Sequence, residues 1–196
     1  MKKIVPQGAH LIPKDAKEVF TGVIYDVYQW QQELFDGSKT IFEMLRRPDT
    51  VTVIPVIDDK ILVTEDHQPH TGSKMSFPGG RVDRGDTSTL GAAQRETEEE
   101  TGYAFDSWKL VRVTQPHSKL EWFIYFYIAS DAHKAGEPKL DSGERITPKV
   151  LSFDEAKSFV VTKSGYLGES MEIFDKAKNL SELLNRPEFE GKRIDI

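Results

Sequence analysis

No cysteine occurs in the 196 residues, which excludes disulfides, thiolate catalysis and sulfur-ligated metal centres. Any metal ion must be held by oxygen or imidazole. No stretch approaches the ~20 consecutive apolar residues that span a bilayer. Met1-Lys2-Lys3-Ile4-Val5-Pro6-Gln7 also lacks the apolar core of a signal peptide. A soluble, cytoplasmic protein with no membrane partner is expected. There is no basic stripe: the net charge is −6, with acids and bases interspersed, so nucleic acid is not an expected partner. Internal repeats and low-complexity tracts are absent. His67, His70 and His117 share no helical spacing and read as polar loop residues rather than a zinc site.

What is present suits one domain with an appendage: a β extension over residues 1–47, then a domain over 48–196 that ends in a helix. Short strands alternate with a few helices, which predicts a mixed α/β fold. Residues 22–35 and 38–46 flank Asp36-Gly37, a dipeptide suited to a two-residue type I′ turn, and so form a hairpin. That turn would put Tyr28, Trp30, Ile41 and Leu45 on one face and Gln29, Gln31, Phe42 and Met44 on the other. Residues 51–57 (VTVIPVI) and 60–65 (KILVTE) form a second hairpin about Asp58-Asp59, apolar enough to be covered on both faces. Residues 71–86 read as a long loop, followed by a helix from Thr87 to Thr101 that Gly102 terminates. Further strands are predicted over 108–114, 122–129 and 148–153, with a polar loop over 136–147. Ser152-Phe153-Asp154-Glu155 is a capping box opening a helix to Val161, and a last amphipathic helix covers 170–185. Trp30 and Trp122 lie within apolar strand patterns and read as core residues.

The end of the first helix is locally unfavourable. Glu96, Glu98, Glu99 and Glu100 crowd its last turn and a half, where the macrodipole is already negative. Glu96 and Glu100, at i and i+4, share a face with Glu99 adjacent, a like-charge arrangement that costs ~0.2–0.5 kcal/mol per pair. Two readings follow from the residues alone: a solvated acidic face with Arg95 as counterion, or a cation cluster. Hard divalent ions such as Mg²⁺ or Mn²⁺ take carboxylate and carbonyl oxygens and often share their shell with substrate phosphates.

Gly80-Arg-Val-Asp-Arg-Gly-Asp86, then eight residues, then Arg95-Glu96-Thr-Glu-Glu99-Glu100-Thr-Gly102 resembles the Nudix box. That box runs glycine, five residues, glutamate, seven residues, Arg-Glu-x-x-Glu-Glu-x-Gly. Phe77-Pro78-Gly79-Gly80 and Ala92-Ala93 also resemble family sequences. The chain departs from the pattern in three places: Asp86 replaces the first glutamate, one further residue precedes Arg95, and Thr97 stands where an aliphatic residue is usual. Asp86 is one methylene shorter than the glutamate it replaces. The resemblance implies an α/β/α sandwich with a mixed sheet and hydrolysis of a diphosphate linkage. It also implies Mg²⁺, with Mn²⁺ as substitute, held chiefly by Glu96 and Glu100, with Glu99 and the main-chain carbonyl of Gly79 adding oxygens. Arg95 would orient the glutamates. By the same likeness Glu144, in the loop before the last strand, is the expected general base, with Glu137 and Glu121 as alternatives.

The stretch from Phe20-Thr21-Gly22 through Asp36-Gly37 to Phe42-Glu43-Met-Leu-Arg46-Arg47 resembles the extension of ADP-ribose and ADP-sugar pyrophosphatases, which mediates homodimer formation. By that analogy Phe42 stacks on the base or is buried in the dimer interface, Glu43 accepts hydrogen bonds from the base, and Arg47 reaches the diphosphate or terminal sugar. His70, Arg81 and His117 would line the pocket. The expected substrate is a nucleoside diphosphate sugar such as ADP-ribose. A nucleoside triphosphate pyrophosphohydrolase and a non-catalytic Nudix ligand-binding module are the alternatives.

Overall fold

The computed structural model describes residues 2–68, 72–140, 143, 145–161 and 170–195. Along the chain run β1 (Lys2–Val5), β2 (Lys17–Thr21), β3 (Asp26–Glu33), β4 (Lys39–Arg46), β5 (Thr50–Ile57), β6 (Lys60–Gln68), β7 (Gly72–Ser76) and α1 (Thr89–Thr101). Then follow β8 (Tyr103–Thr114), β9 (Leu120–Glu121), β10 (Ile124–Lys134), β11 (Ile146–Leu151), α2 (Phe153–Val161), α3 (Met171–Asp175), α4 (Leu180–Leu184) and β12 (Lys192–Asp195). No helix among the described residues is long and apolar enough to cross a membrane.

The central sheet has the order β11-β6-β5-β10-β8, with β7 added to β6. It is mixed, because β5 and β10 run parallel while the other pairs are antiparallel. The two-residue alternation of a strand sorts its apolar side chains into two cores. Val51, Val53, Tyr125, Tyr127 and Ala129 face Ala92 and Ala93 of α1. Ile54, Val56, Ile124, Phe126 and Ile128 face Phe153, Phe159, Ile173, Phe174 and Leu183 of α2, α3 and α4. The α/β/α sandwich follows directly. As its apolar sequence predicts, β5 is covered on both faces, and six consecutive residues of it are buried.

β2, β3 and β4, from the expected extension, form a second sheet with β9, in the order β2-β3-β4-β9, while β1 from the same stretch lies in a separate two-stranded sheet. The turn between β3 and β4 is not the two-residue turn expected. Leu34 N–H bonds Ser38 O at 2.8 Å, Gly37 N–H bonds Leu34 O at 3.0 Å, and Gly37 lies at φ 81. The loop therefore has three residues, Phe35–Gly37, the last left-handed. One extra loop residue shifts the pairing by one, and a one-residue slip moves every side chain of a strand to the opposite face. Tyr28 now opposes Met44 and Trp30 opposes Phe42, so these four share a face, while Gln29, Gln31, Ile41, Glu43 and Leu45 share the other.

Other differences are polar or short elements. The stretch read as a loop over 71–86 contains β7, whose partners on β6 run from Thr64↔Ser76 to Gln68↔Gly72. The chain ends pair as β1 and β12, and Lys3 Nζ reaches the buried Asp49 Oδ2 at 2.7 Å. The expected single helix over 170–185 is two, because Asn179 is extended and caps α4 by accepting the Glu182 N–H at 2.9 Å. The capping box at Ser152 and Glu155 forms as predicted.

One irregularity positions the site. β5 and β6 pair only at Val56↔Ile61 and Ile57↔Lys60. Upstream, Pro55 has no N–H to offer a ladder, and the strands part. Into the opening comes the loop after β7: Val53 N–H bonds Pro78 O at 2.8 Å, Val51 N–H bonds Gly80 O at 2.9 Å, and Val82 N–H bonds Asp49 O at 2.8 Å. Gly79 sits between them at φ 147, where an added Cβ would lie 2.2 Å from the Val51 carbonyl oxygen. Both the backbone angle and the lack of space demand glycine. Gly79→Ala is expected to lower stability by at least about 2 kcal/mol, read as a fall in the urea midpoint; an unchanged midpoint would show that the loop does not seat on β5 in this way.

Candidate active site

The carboxylates stand on α1, which lies over β5 and β8. Its start is set by Ser88, whose Oγ accepts the Gly91 N–H at 3.0 Å. Its end is set by Gly102 at φ 71, whose N–H returns to Glu98 O at 2.8 Å. The chain after β10 then caps the exposed carbonyls: Lys139 N–H bonds Glu99 O at 2.7 Å, and the Ala135 N–H bonds Gly102 O at 2.9 Å. Thr97 is fully buried in an apolar position. Its hydroxyl donates to Ala93 O at 2.7 Å, which satisfies the polar group locally and explains how threonine substitutes for an aliphatic residue.

Arg95 organises the acids. Its Nε and Nη2 donate to the two oxygens of Asp86 at 3.1 and 3.0 Å, so the shorter acid does reach it, in bidentate fashion. Asp86 is itself held by a turn, with Asp86 N–H on Asp83 O at 3.1 Å and Asp83 N–H on Asp86 Oδ2 at 2.8 Å. The bonds from Arg95 hold the Asp86 carboxyl below its ordinary value, and those from Asp86 above all raise the Arg95 guanidinium. Arg95 Nη2 also donates to the Arg81 carbonyl at 3.1 Å. Its Nη1 meets Glu99 Oε2 and Glu96 Oε1, each at 3.0 Å.

Glu96 packs on Gly80, where a Cβ would come within 2.5 Å of its carboxyl carbon. Burial pushes the Glu96 carboxyl up to about 7, against the opposing pull of Arg95. Glu100 Oε2 accepts the Gly79 N–H at 3.2 Å. Among the described residues no group of three acids or histidines is gathered tightly enough to be a ready-made cation site. The donor set nevertheless fits a hard divalent ion: it is all oxygen, and it includes the Glu96 carboxyl, which burial holds above its ordinary range.

A cavity of about 310 Å³ opens beside these groups. Gly79, Arg81, Glu100 and Arg47, all expected at the site, line it together with Gly80. Glu96 lies behind Gly80, and Glu99 turns toward Arg95 and a smaller cavity that also holds Glu137. Phe42 packs on Trp30 at 5.2 Å between ring centres, with Lys119 Nζ 4.9 Å over its ring. Glu43 accepts a hydrogen bond from Gln29 at 2.7 Å, and His117 is exposed. None of these three lines the cavity. Glu121 is committed to Arg46 and to the Ile12 N–H. Glu144 and His70 lie outside the described residues.

Sequence reasoning missed Thr64, Asp66, Lys74 and Ser76, which line the cavity from β6 and β7. They form opposed pairs, Thr64↔Ser76 and Asp66↔Lys74, on one side of that hairpin. A polar strand facing a cavity has no apolar alternation to reveal it. Trp122, read as core, is 8 % exposed and belongs to the core as expected, yet it also lines the cavity.

Residues 46–167 match the NUDIX domain. Over 155 residues the chain is 29% identical to a methanol dehydrogenase activator of Bacillus methanolicus, covering 76% of this chain and 83% of that protein. It is 26% identical over 165 residues to an ADP-ribose pyrophosphatase of Bacillus subtilis (strain 168), covering 81% and 83%. The fold superposes on the crystal structure of an ADP compounds hydrolase with a TM-score of 0.60 at 20% identity, covering 87% of this chain and 89% of that one. Since the domain match takes in more than half of its residues and all of α1, the chain belongs to the Nudix hydrolase family.

Proposed function

We propose that this protein hydrolyses the diphosphate linkage of a nucleoside diphosphate sugar, ADP-ribose or another ADP-sugar, to a nucleoside monophosphate and a sugar phosphate, with Mg²⁺ or Mn²⁺ as cofactor. One observation carries the reading. A single cavity is lined by the Gly79–Gly80 backbone and Glu100 together with two arginines, Arg47 and Arg81. That composition suits a doubly charged diphosphate.

Glu96, Glu99, Glu100 and the Gly79 carbonyl are the residues that would hold the cofactor. When bound, divalent cations neutralise charge on the phosphate oxygens and lower the pKa of the attacking water. The chain itself does the rest. Arg95 keeps three acids within reach of one guanidinium, and Arg47 and Arg81 offer planar donors to phosphate oxygens. Glu144 is assigned the proton of the attacking water from its place in the loop before β11. The Lys139 N–H on Glu99 O ties the start of that loop to α1. The sugar end is assigned to the β6–β7 ladder. Its hydroxyl pair and its opposed charge pair, with Lys74 Nζ 3.7 Å from Asp66 Oδ2, are together neutral, which suits a polyol better than a phosphate. Exposed Phe20, Ile24 and Ile41 on the extension support homodimer formation there.

Glu100→Gln is expected to lower kcat by roughly 10³-fold while leaving the fold intact; near-normal turnover of that variant would remove Glu100 from the cofactor site. In a magnesium-dependent phosphate-release assay coupled to a phosphatase, ADP-ribose or ADP-glucose should outpace UDP-glucose, diadenosine polyphosphates and nucleoside triphosphates. Preference for a triphosphate would replace this reading with a pyrophosphohydrolase, and no release from any of them would make the chain a binding module. Sedimentation equilibrium should return twice the chain's 22.3 kDa; a monomer would refute the role given to the extension.

A further inference from the structure

Arg47 is held in an unusual way. It follows β4 directly, and its guanidinium carbon lies 4.6 Å from the centre of the Trp122 ring and 5.7 Å from that of Tyr25. Its Nε is buried and has no hydrogen-bond partner among the described residues, although Arg47 lines the cavity. Trp122 is itself pinned, since its indole N–H donates to Thr50 Oγ1 at 2.9 Å. The parallel pairing of β4 with β9, through Leu45↔Leu120 and Arg46↔Glu121, is what brings residues 47 and 122 side by side. Arg47 N–H continues that register to the Glu121 carbonyl at 3.4 Å.

A partly buried arginine is ordinarily held by a carboxylate, which occupies two or more of its five N–H donors and cancels its charge. An aromatic face stabilises the cation through its ring quadrupole and takes none of the donors. Guanidinium is the group for which this works best, being planar and weakly hydrated. We propose that Trp122 is a positioning residue: its indole face fixes the Arg47 guanidinium in the cavity with its donors unspent, ready for an anionic oxygen of the diphosphate. This rests on the substrate class proposed above and extends it to a residue that touches no phosphate. Trp122 acts through Arg47 and contributes to binding in the ground state and the transition state alike.

The test is a double-mutant cycle on the best substrate of the panel, measured with the full-length, magnesium-loaded enzyme. Trp122→Leu is expected to raise KM about tenfold with kcat moving far less, and Trp122→Phe, which keeps an aromatic face, should raise it less. Arg47→Gln should raise KM at least as much as Trp122→Leu. Adding Trp122→Leu to Arg47→Gln should then change KM little further, because the ring has no guanidinium left to hold. Multiplicative effects in the double variant would overturn the proposal, as would an equal loss for Phe and Leu. Should Trp122→Leu fail to fold, placing tryptophans of increasing fluorination at position 122 keeps the shape and withdraws π density. KM should climb step by step, and a flat series would overturn the proposal. A wild-type enzyme that releases phosphate from no diphosphate compound would instead defeat the substrate assignment, a separate result from either of these.

Discussion

The seating of the Pro78–Gly80 backbone on the open edge of β5 is the constraint from which the site follows. A strand edge with unpaired N–H groups must be satisfied when it is buried, and here the carbonyls of Pro78 and Gly80 satisfy Val53 and Val51. Pro55, between Val53 and the first β6 pair at Val56, has no N–H to leave unpaired on that edge. The approach is so close that no side chain fits at Gly79. Lacking a side chain at Gly80 as well, the loop lets the Glu96 carboxyl lie against its backbone, while Glu100 receives the Gly79 N–H. Sheet, loop and helix are thereby locked at one spacing. Rigid backbone under a cofactor site matters because small displacements of the ligands are costly to catalysis.

The electrostatics resolve the two readings of the acidic helix end into one arrangement. Arg95 is a counterion, but a shared one, serving Asp86, Glu96 and Glu99 at once. Burial raises the Glu96 carboxyl to about 7 against the pull of Arg95. Further positive charge would lower it. Asp86 takes the larger part of Arg95 from outside the helix, which leaves Nη1 to bridge Glu96 and Glu99 and keeps both near the site.

How much of this was legible in the sequence depends on what each residue answers to. Apolar alternation and glycine placement reported the central sheet, the end of α1 at Gly102 and the sandwich, because burial and positive φ are demanded by those residues wherever they occur. The hairpin tip was misread by one residue because Asp36-Gly37 suits both a two-residue turn and the left-handed end of a three-residue loop; the dipeptide does not say which. β7 escaped because Gly72, Ser73, Lys74 and Ser76 carry no apolar alternation: Lys74 and Ser76 line the cavity, and Met75 alone packs on the core. The short β1 and β12 escaped because their pairing joins residues at opposite ends of the chain, a contact no local pattern encodes.

The misread register also changes what the extension can do. In the expected register Trp30 and Phe42 would lie on opposite faces; in the structure they pack against each other, and Lys119 covers Phe42. That leaves the end of β4 as the extension's contribution to its own site, and it divides its work by parity. Arg46 points to Tyr28, 4.5 Å from its ring centre, and to Glu121 on β9, fastening the extension to the main domain. Arg47, the next residue, points to Trp122 and the cavity. Two adjacent arginines on alternating faces thus link the second sheet to the cavity: whatever holds Arg46 on Glu121 also fixes the strand register that delivers Arg47. The extension is therefore part of the site mechanically, even where its other side chains stay outside the cavity.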